Sequence, residues 1–359
     1  MISLLAERNL VPSSLSGPGD GLVWARYLAL HEAIRLPLLG LHRLAFAVTG
    51  RGIERARPAR NVELERVVRA RYRELLTRDF DNAKRGVYPM DLLFDVPFST
   101  YARSLPRFLL DTPSVLSRLR SGDYKDLPGH VDLESYPAYY RRTFHWQTDG
   151  YFSRHSAQIY DLAVELLFVG VADVMRRQAL AEIMRRKPPG KVRLLDVGTG
   201  TGRFLRQAAR SLPGSDLYGL ELSPWYASYA SEAAAKDVAS QKVQIEVGNA
   251  EAMPYADASF DVVSSVFMLH ELPRQVRRNV LGEIRRVLTP GGLLVVEDAA
   301  QPSESLAIAP ALSQFSKDMH EPFFADYLKD DLESLLLETG FRVQNVSPHF
   351  VSKVVSATS

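Results

Sequence analysis

Residues 194–202 read Leu-Leu-Asp-Val-Gly-Thr-Gly-Thr-Gly, and no other segment of the 359-residue chain limits the fold as strongly. The apolar run from Val192 to Val197 predicts a short buried strand, and Arg203 to Ser211 predicts a helix. A strand that turns through glycines into a helix belongs to an open α/β sheet, whose ligands bind beyond the carboxyl ends of the strands. Glycines there let a ligand approach the backbone closely.

The chain downstream repeats the alternation. Strands are predicted at 215–221, 243–247, 260–267 and 293–297, with helices at 203–211, 223–237, 274–288 and 330–339. Ser223-Pro224 supplies an N-cap followed by proline at the first helical position. Two last strands, 341–346 and 351–357, are joined by a short turn and should pair antiparallel. The fold class is therefore α/β with a mostly parallel sheet covered on both faces. Upstream of Lys187-Pro-Pro-Gly190 the texture changes. Residues 62–80 show helical periodicity, 88–150 are rich in Pro, Tyr and Asp without clear periodicity, and 153–187 predict one long helix or two consecutive ones. The expected division is a mainly helical substrate-binding and lid region, 1–187, followed by the sheet domain, 188–359.

The glycines are Gly198, Gly200 and Gly202, and Arg203 stands where a dinucleotide fingerprint wants its third glycine. No phosphate loop ending Gly-Lys-Ser/Thr is present. Asp196, just before the turn, would repel a pyrophosphate and suits a ligand that carries positive charge. S-adenosylmethionine has a sulfonium, an ammonium and no phosphate.

From about residue 190 to 357 the chain resembles the class I S-adenosylmethionine-dependent methyltransferases, nearer the small-molecule branch that includes quinone methyltransferases. Asp196–Gly202 is similar to the first motif of that family, and Gly219-Leu-Glu-Leu-Ser223 to its second strand end. Gly248-Asn-Ala-Glu-Ala-Met-Pro254 resembles the segment beside adenine. Ser259–Val263 and Arg286–Leu293 resemble the fourth strand and the turn into the fifth. The resemblance implies a Rossmann-like methyltransferase fold of seven strands with an antiparallel final strand, a helical N-terminal extension, and S-adenosyl-L-methionine as cofactor. It assigns Asp196, Gly198, Thr199, Gly200 and Gly202 to the cofactor loop and Glu221 to the ribose hydroxyls. Leu222 covers an adenine face, Asn249 and Ala250 lie beside adenine, and Phe267 lies beneath the methionine part or packs in the core. Asn249 replaces the more usual Asp; its side-chain oxygen still accepts a hydrogen bond.

The segment Phe144–His155 holds four aromatic residues, two histidines and one arginine. By the same resemblance it belongs to a lid, so Tyr151, Arg154 and His155 are expected on its inner face, Tyr151 against the cofactor. Tyr136, Tyr139 and Tyr140 read as an ordinary aromatic cluster. His270 and Glu271 follow the fourth strand, where the transferred methyl group is expected. His270 is the candidate base, since its ordinary pKa lies near neutrality. Glu271 orients it or binds a polar substrate group, and His155 joins them from the lid. His320 to Phe324 occupies another substrate-lining position. No ligand spacing among these residues supports a metal site.

Charge and composition narrow the partners. Residues 1–190 carry 28 basic against 21 acidic side chains, and residues 191–359 carry 16 against 21. The net charge of +2 argues against a nucleic-acid substrate, as does Ser265-Val-Phe-Met268 where amino-methylating nucleic-acid enzymes carry an Asn-Pro-Pro-Tyr-type motif. Cysteine is absent, which excludes disulfides, thiol nucleophiles and cysteine–metal sites and fits a reducing, cytoplasmic setting. The apolar stretch 28–48 is broken by charges and Pro37, so it predicts an amphipathic helix on the protein or at a lipid surface, not a transmembrane span. The expected partner is a small molecule, flat or apolar, with an N-terminal homodimer contact as a further expectation. Three alternatives stand beside small-molecule methylation at this point: a nicotinamide-dependent oxidoreductase, a scaffold that kept the fold, and methylation of a macromolecule.

Overall fold

The computed structural model describes residues 12–49, 62–238, 242–304 and 306–359. Seven strands form one sheet: β1 (Arg193–Val197), β2 (Asp216–Glu221), β3 (Lys242–Val247), β4 (Phe260–Val266), β5 (Leu288–Ala299), β6 (Arg342–His349) and β7 (Ser352–Thr358). Their order is β3-β2-β1-β4-β5-β7-β6. Neighbours among β1 to β5 run parallel, while β7 runs antiparallel to both β5 and β6. Burial on both faces explains the unbroken apolar runs of the central strands, such as Leu194 and Leu195 in β1 and Leu294, Val295 and Val296 in β5, all fully buried. The sheet and its antiparallel last strand agree with the sequence reading, although β5 begins five residues earlier than expected.

The N-terminal helices are α1 (Pro18–Thr49), α2 (Val62–Lys84), α3 (Phe98–Ser121), α4 (Arg154–Leu167) and α5 (Ala172–Arg186). Around the sheet lie α6 (Arg203–Ser211), α7 (Pro224–Asp237), α8 (Arg274–Val287), α9 (Ala309–Asp318), α10 (Phe324–Tyr327) and α11 (Leu332–Glu338). Two differences from the sequence expectation have physical causes, and one open alternative, a single helix or two over 153–187, closes. Helix α3 occupies part of the stretch read as irregular. Its prolines, Pro106 and Pro113, lie on the exposed side, where the carbonyls they deprive of a donor, at Ala102 and Leu109, face solvent. The 153–187 segment is two helices, separated by a turn through residues 168–171. Finally, α5 packs against α6, β5 and β7, and all its residues from Ala172 to Ile183 are buried. By packing, this helix belongs to the sheet and not to a separate N-terminal lid.

Buried charges tie the helices to the sheet. Arg177 of α5 donates to both oxygens of Asp79 in α2, at 2.9 and 2.7 Å. Tyr27 and Tyr88 donate to the same carboxylate. Such a pair must be fully hydrogen-bonded to offset its desolvation, and this one is. Among the described residues no helix is long and apolar enough to cross a membrane.

Candidate functional site

The turn after β1 takes the shape its sequence demands. Gly198, Gly200 and Gly202 all have left-handed φ, at 72°, 57° and 73°. Their reasons differ. A Cβ on Gly198 would stand 2.5 Å from Met268 Sδ, and one on Gly202 3.0 Å from Ala230 Cβ in α7. A Cβ on Gly200 would meet nothing within 4 Å. Gly200 thus opens onto empty space, Gly198 is pressed by the loop after β4, and Gly202 lets α6 and α7 approach each other.

That space is a cavity of about 640 Å³, a size usual for small-molecule sites. Asp196, Gly198, Thr199, Gly200, Glu221, Leu222, Asn249, Ala250, Phe267 and Tyr151 line it, as do His270 and Glu271. Two expected residues do not. Gly202 serves helix packing. His155, at the start of α4, is 39% exposed and lies 3.8 Å from Asp111; its place on the helix turns it outward, so it is no catalytic candidate. Arg154 likewise points out, paired with Glu232.

Glu221 ends β2 with its carboxylate buried. Its oxygens accept from Gly200 N at 2.8 Å and Ser223 N at 2.9 Å, leaving lone pairs for a diol. Burial raises its pKa, and the two backbone N–H groups oppose the rise. Asp196 accepts from Ser264 Oγ at 2.8 Å, and burial pushes its pKa up to about 7. Asn249 Oδ1 accepts from Glu251 N at 2.9 Å and retains a second lone pair. Phe267 holds a left-handed φ of 56° and stacks on Phe168. These features fit an adenosine with a cationic tail: a buried diol acceptor, an open glycine, and a carboxylate whose ionised form awaits a positive partner.

A polar cluster stands in the same cavity. His270 Nδ1 lies 2.5 Å from Asp298 Oδ1, and its Nε2 lies 3.8 Å from Glu321 Oε2. Burial works against its charge, but Asp298 and Glu321 outweigh it and lift the pKa to about 10. His270 is therefore an imidazolium at neutral pH and a poor proton acceptor, contrary to the sequence expectation. A second histidine lines the same space. His145 Nε2 is 3.2 Å from Glu271 Oε1, and Nδ1 is 3.3 Å from Glu321 Oε1. Burial opposes protonation there too, but the two carboxylates raise the pKa on balance. Tyr151 donates to Glu271 at 2.7 Å, and Ser223 Oγ donates to the Tyr151 carbonyl at 2.6 Å, so the segment carrying Tyr151 is fastened to the loops after β4 and β2.

His145 sits in a strained turn. His145, Trp146 and Asp149 all have left-handed φ, at 54°, 59° and 63°. Each such residue costs on the order of 1–3 kcal/mol, and strain of this kind gathers where a side chain must be aimed. Sequence reasoning quoted this segment but passed over His145, because its aim depends on the turn. Asp298 was missed as well; its place at the end of β5, level with the β4 loop, was the available signal. Tyr140 was read as plain packing, yet it lines the cavity and stacks on Tyr151. His320 is held between Tyr124 and Trp146, outside the cavity lining, and burial drives its pKa down to about 4. Among the described residues no group of side chains is arranged to hold a metal ion.

Residue 203, which broke the dinucleotide pattern, has a structural task. The buried Arg203 side chain donates to Asp173 Oδ2 at 2.8 Å and to the Asp95 carbonyl at 2.6 Å. It straps the glycine turn to α5 and to the segment before α3.

Residues 195–296 match the family model described as a methyltransferase domain. The chain is 35% identical over 147 residues to a demethylmenaquinone methyltransferase of Deinococcus radiodurans, covering 41% of this chain and 58% of that protein. It is 26% identical over 203 residues to the O-methyltransferase cnsE of Penicillium expansum, covering 54% and 71%. A solved S-adenosylmethionine-dependent methyltransferase from Aquifex aeolicus aligns at 21% identity over 51% of this chain and 88% of that one, with a TM-score of 0.39. The match thus spans little more than half of the first of these relatives. Residues 195–296 thus match a methyltransferase domain, and they lie in the seven-stranded sheet with antiparallel last strand that the resemblance implied.

Proposed function

We propose that the chain methylates a small, largely apolar molecule with S-adenosylmethionine as donor, at an oxygen or carbon that must lose a proton. The observation that carries this is the shared cavity. One space is lined by the glycine turn and Glu221, by aromatic rings from Tyr140, Phe144 and Tyr151, and by the His145–Glu271 pair. The relatives named demethylmenaquinone methyltransferase and O-methyltransferase support a small-molecule acceptor.

Bound there, S-adenosylmethionine would supply an electrophilic methyl group on a positively charged sulfur. The chain's own residues do the rest. Glu221 and the turn fix the adenosine, and Asp196 offers negative charge toward the cationic part. The aromatic wall excludes water and holds the acceptor, so alignment supplies much of the acceleration. His145, held between Glu271 and Glu321, is the group placed to take the acceptor's proton when its imidazole is neutral. Tyr151 holds Glu271 in place, and His270 remains an imidazolium on Asp298 that positions the β4 loop.

The test is single-turnover methylation of an acceptor found by profiling extracts with isotopically labelled donor. His145→Ala should slow the step by at least about tenfold, at the low end of what a positioned base contributes, with donor affinity unchanged. An unchanged rate with a hydroxyl or carbon acceptor would remove His145 from the chemistry and leave alignment as the whole mechanism.

A further inference from the structure

Helix α3 has two apolar faces. Phe108 and Val115, with Asp111, look inward and line the cavity. About a quarter turn round the helix from these, Phe98, Leu105 and Leu109 recur at helical spacing and are 55%, 39% and 49% exposed, and Leu110, on the outward side, is 81% exposed. Apolar side chains grouped this way on a surface mark a contact site. The charges on the same helix are one-sided. Arg103, Arg107 and Arg120 are exposed, and none has a carboxylate partner among the described residues. Asp111, the helix's only acid, is buried and turned toward the cavity. Arg103 and Arg107 spend their donors on carbonyls and a hydroxyl of their own helix.

We infer that α3 docks on an anionic phospholipid surface and that its inner face is the wall past which an apolar acceptor enters the cavity. The entry role rests on the proposed methylation of an apolar molecule; the docking does not. A protein partner or a second copy would also cover apolar side chains. The uncompensated arginines favour a surface of dense negative charge. Leu and Phe along one edge of the exposed surface, with Arg103 and Arg107 along the other, is the division of a helix lying in the lipid interface. The continuity of α3 with the cavity gives such docking a use.

The experiment is co-sedimentation of the full chain with vesicles of phosphatidylcholine alone, and with vesicles in which a third of the lipid is phosphatidylglycerol. The parent should bind the anionic vesicles and bind the neutral ones at least about tenfold more weakly. Leu109→Glu with Leu110→Glu, and separately Arg103→Glu with Arg107→Glu, should each lower anionic binding by at least about tenfold. All these positions are exposed, so the fold should survive, and unchanged S-adenosylmethionine affinity in the variants will show it. No binding by the parent, or equal binding by the variants, overturns the inference. So does sedimentation showing that the leucine variant instead breaks a dimer, since a second copy then covers the face. Because vesicle binding is read without turnover, failure here leaves the proposed reaction standing, and failure of donor binding leaves the docking result intact.

Discussion

Replacing each of two glycines in the turn after β1 by alanine should separate folding from binding. Both glycines have left-handed φ, which costs an alanine roughly 1–2 kcal/mol. The loss of unfolded-state freedom returns about 0.4–1 kcal/mol of that. At Gly200 the account ends there, because the new methyl meets nothing within 4 Å. A stability loss of about 0–1.6 kcal/mol is expected, a fall in Tm of no more than about 4 °C. At Gly198 the methyl meets Met268 Sδ at 2.5 Å, Cγ at 3.0 Å and Cβ at 3.3 Å. Overpacking of that kind adds about 1–3 kcal/mol. Binding should run the other way. Gly200 lines the cavity and donates its N–H to the Glu221 carboxylate, where the donor is expected, so Gly200→Ala should weaken S-adenosylmethionine binding at least about tenfold, or about 1.4 kcal/mol. Thermal unfolding and isothermal calorimetry on both variants read the two quantities. If Gly200→Ala binds the donor as tightly as the parent, the open space at Gly200 is not the ligand's place and the argument fails.

Three further outcomes are expected. Glu221→Gln should weaken the donor by about 1.5–3 kcal/mol, the scale of lost hydrogen bonds to a charged group; calorimetry showing parental affinity would take Glu221 out of the site. Asp196 has its folded pKa raised to about 7 by burial. Its contribution to the stability of the ligand-free protein is therefore present at low pH and lost as pH rises through about 7. A cationic ligand favours the ionised form, so donor affinity should rise between pH 6 and pH 8 by up to about tenfold. Asp196→Asn should flatten that profile, and a parental profile that is already flat would contradict the assignment. Arg203→Ala leaves the buried Asp173 with Arg176 as its remaining partner and should cost about 1.5–3 kcal/mol in denaturant unfolding; a loss under about 1 kcal/mol would show that the strap is not needed.

The sheet was legible because its evidence is local. Strands such as Leu194–Val197 and Val262–Val266 are mostly apolar and buried on both faces, and the glycines between β1 and α6 have backbone reasons that sequence states directly. Helix α3 was not legible, because prolines at 106 and 113 lower helical expectation wherever they stand. Only the packed fold shows that both lie on the solvent side. The cofactor side of the site followed the strand ends, which order along the chain already fixes. The chemical side did not. His155 and His145 sit ten residues apart in one segment, and which of them faces inward depends on a turn with three left-handed residues and on the first turn of α4. His270 was placed correctly after β4, but its neighbour Asp298 comes from β5, and that pairing changes a candidate base into a fixed cation. Gly202 looked like its two companions and differs only in what lies behind it, Ala230 of α7.

The most direct measurement is a calorimetric titration of the intact chain with S-adenosylmethionine, with a nicotinamide dinucleotide titrated in parallel. The account predicts one site with a low-micromolar Kd or tighter, roughly −8 kcal/mol, and no heat from the dinucleotide. Binding of the dinucleotide, or no binding of S-adenosylmethionine to folded protein, would contradict it.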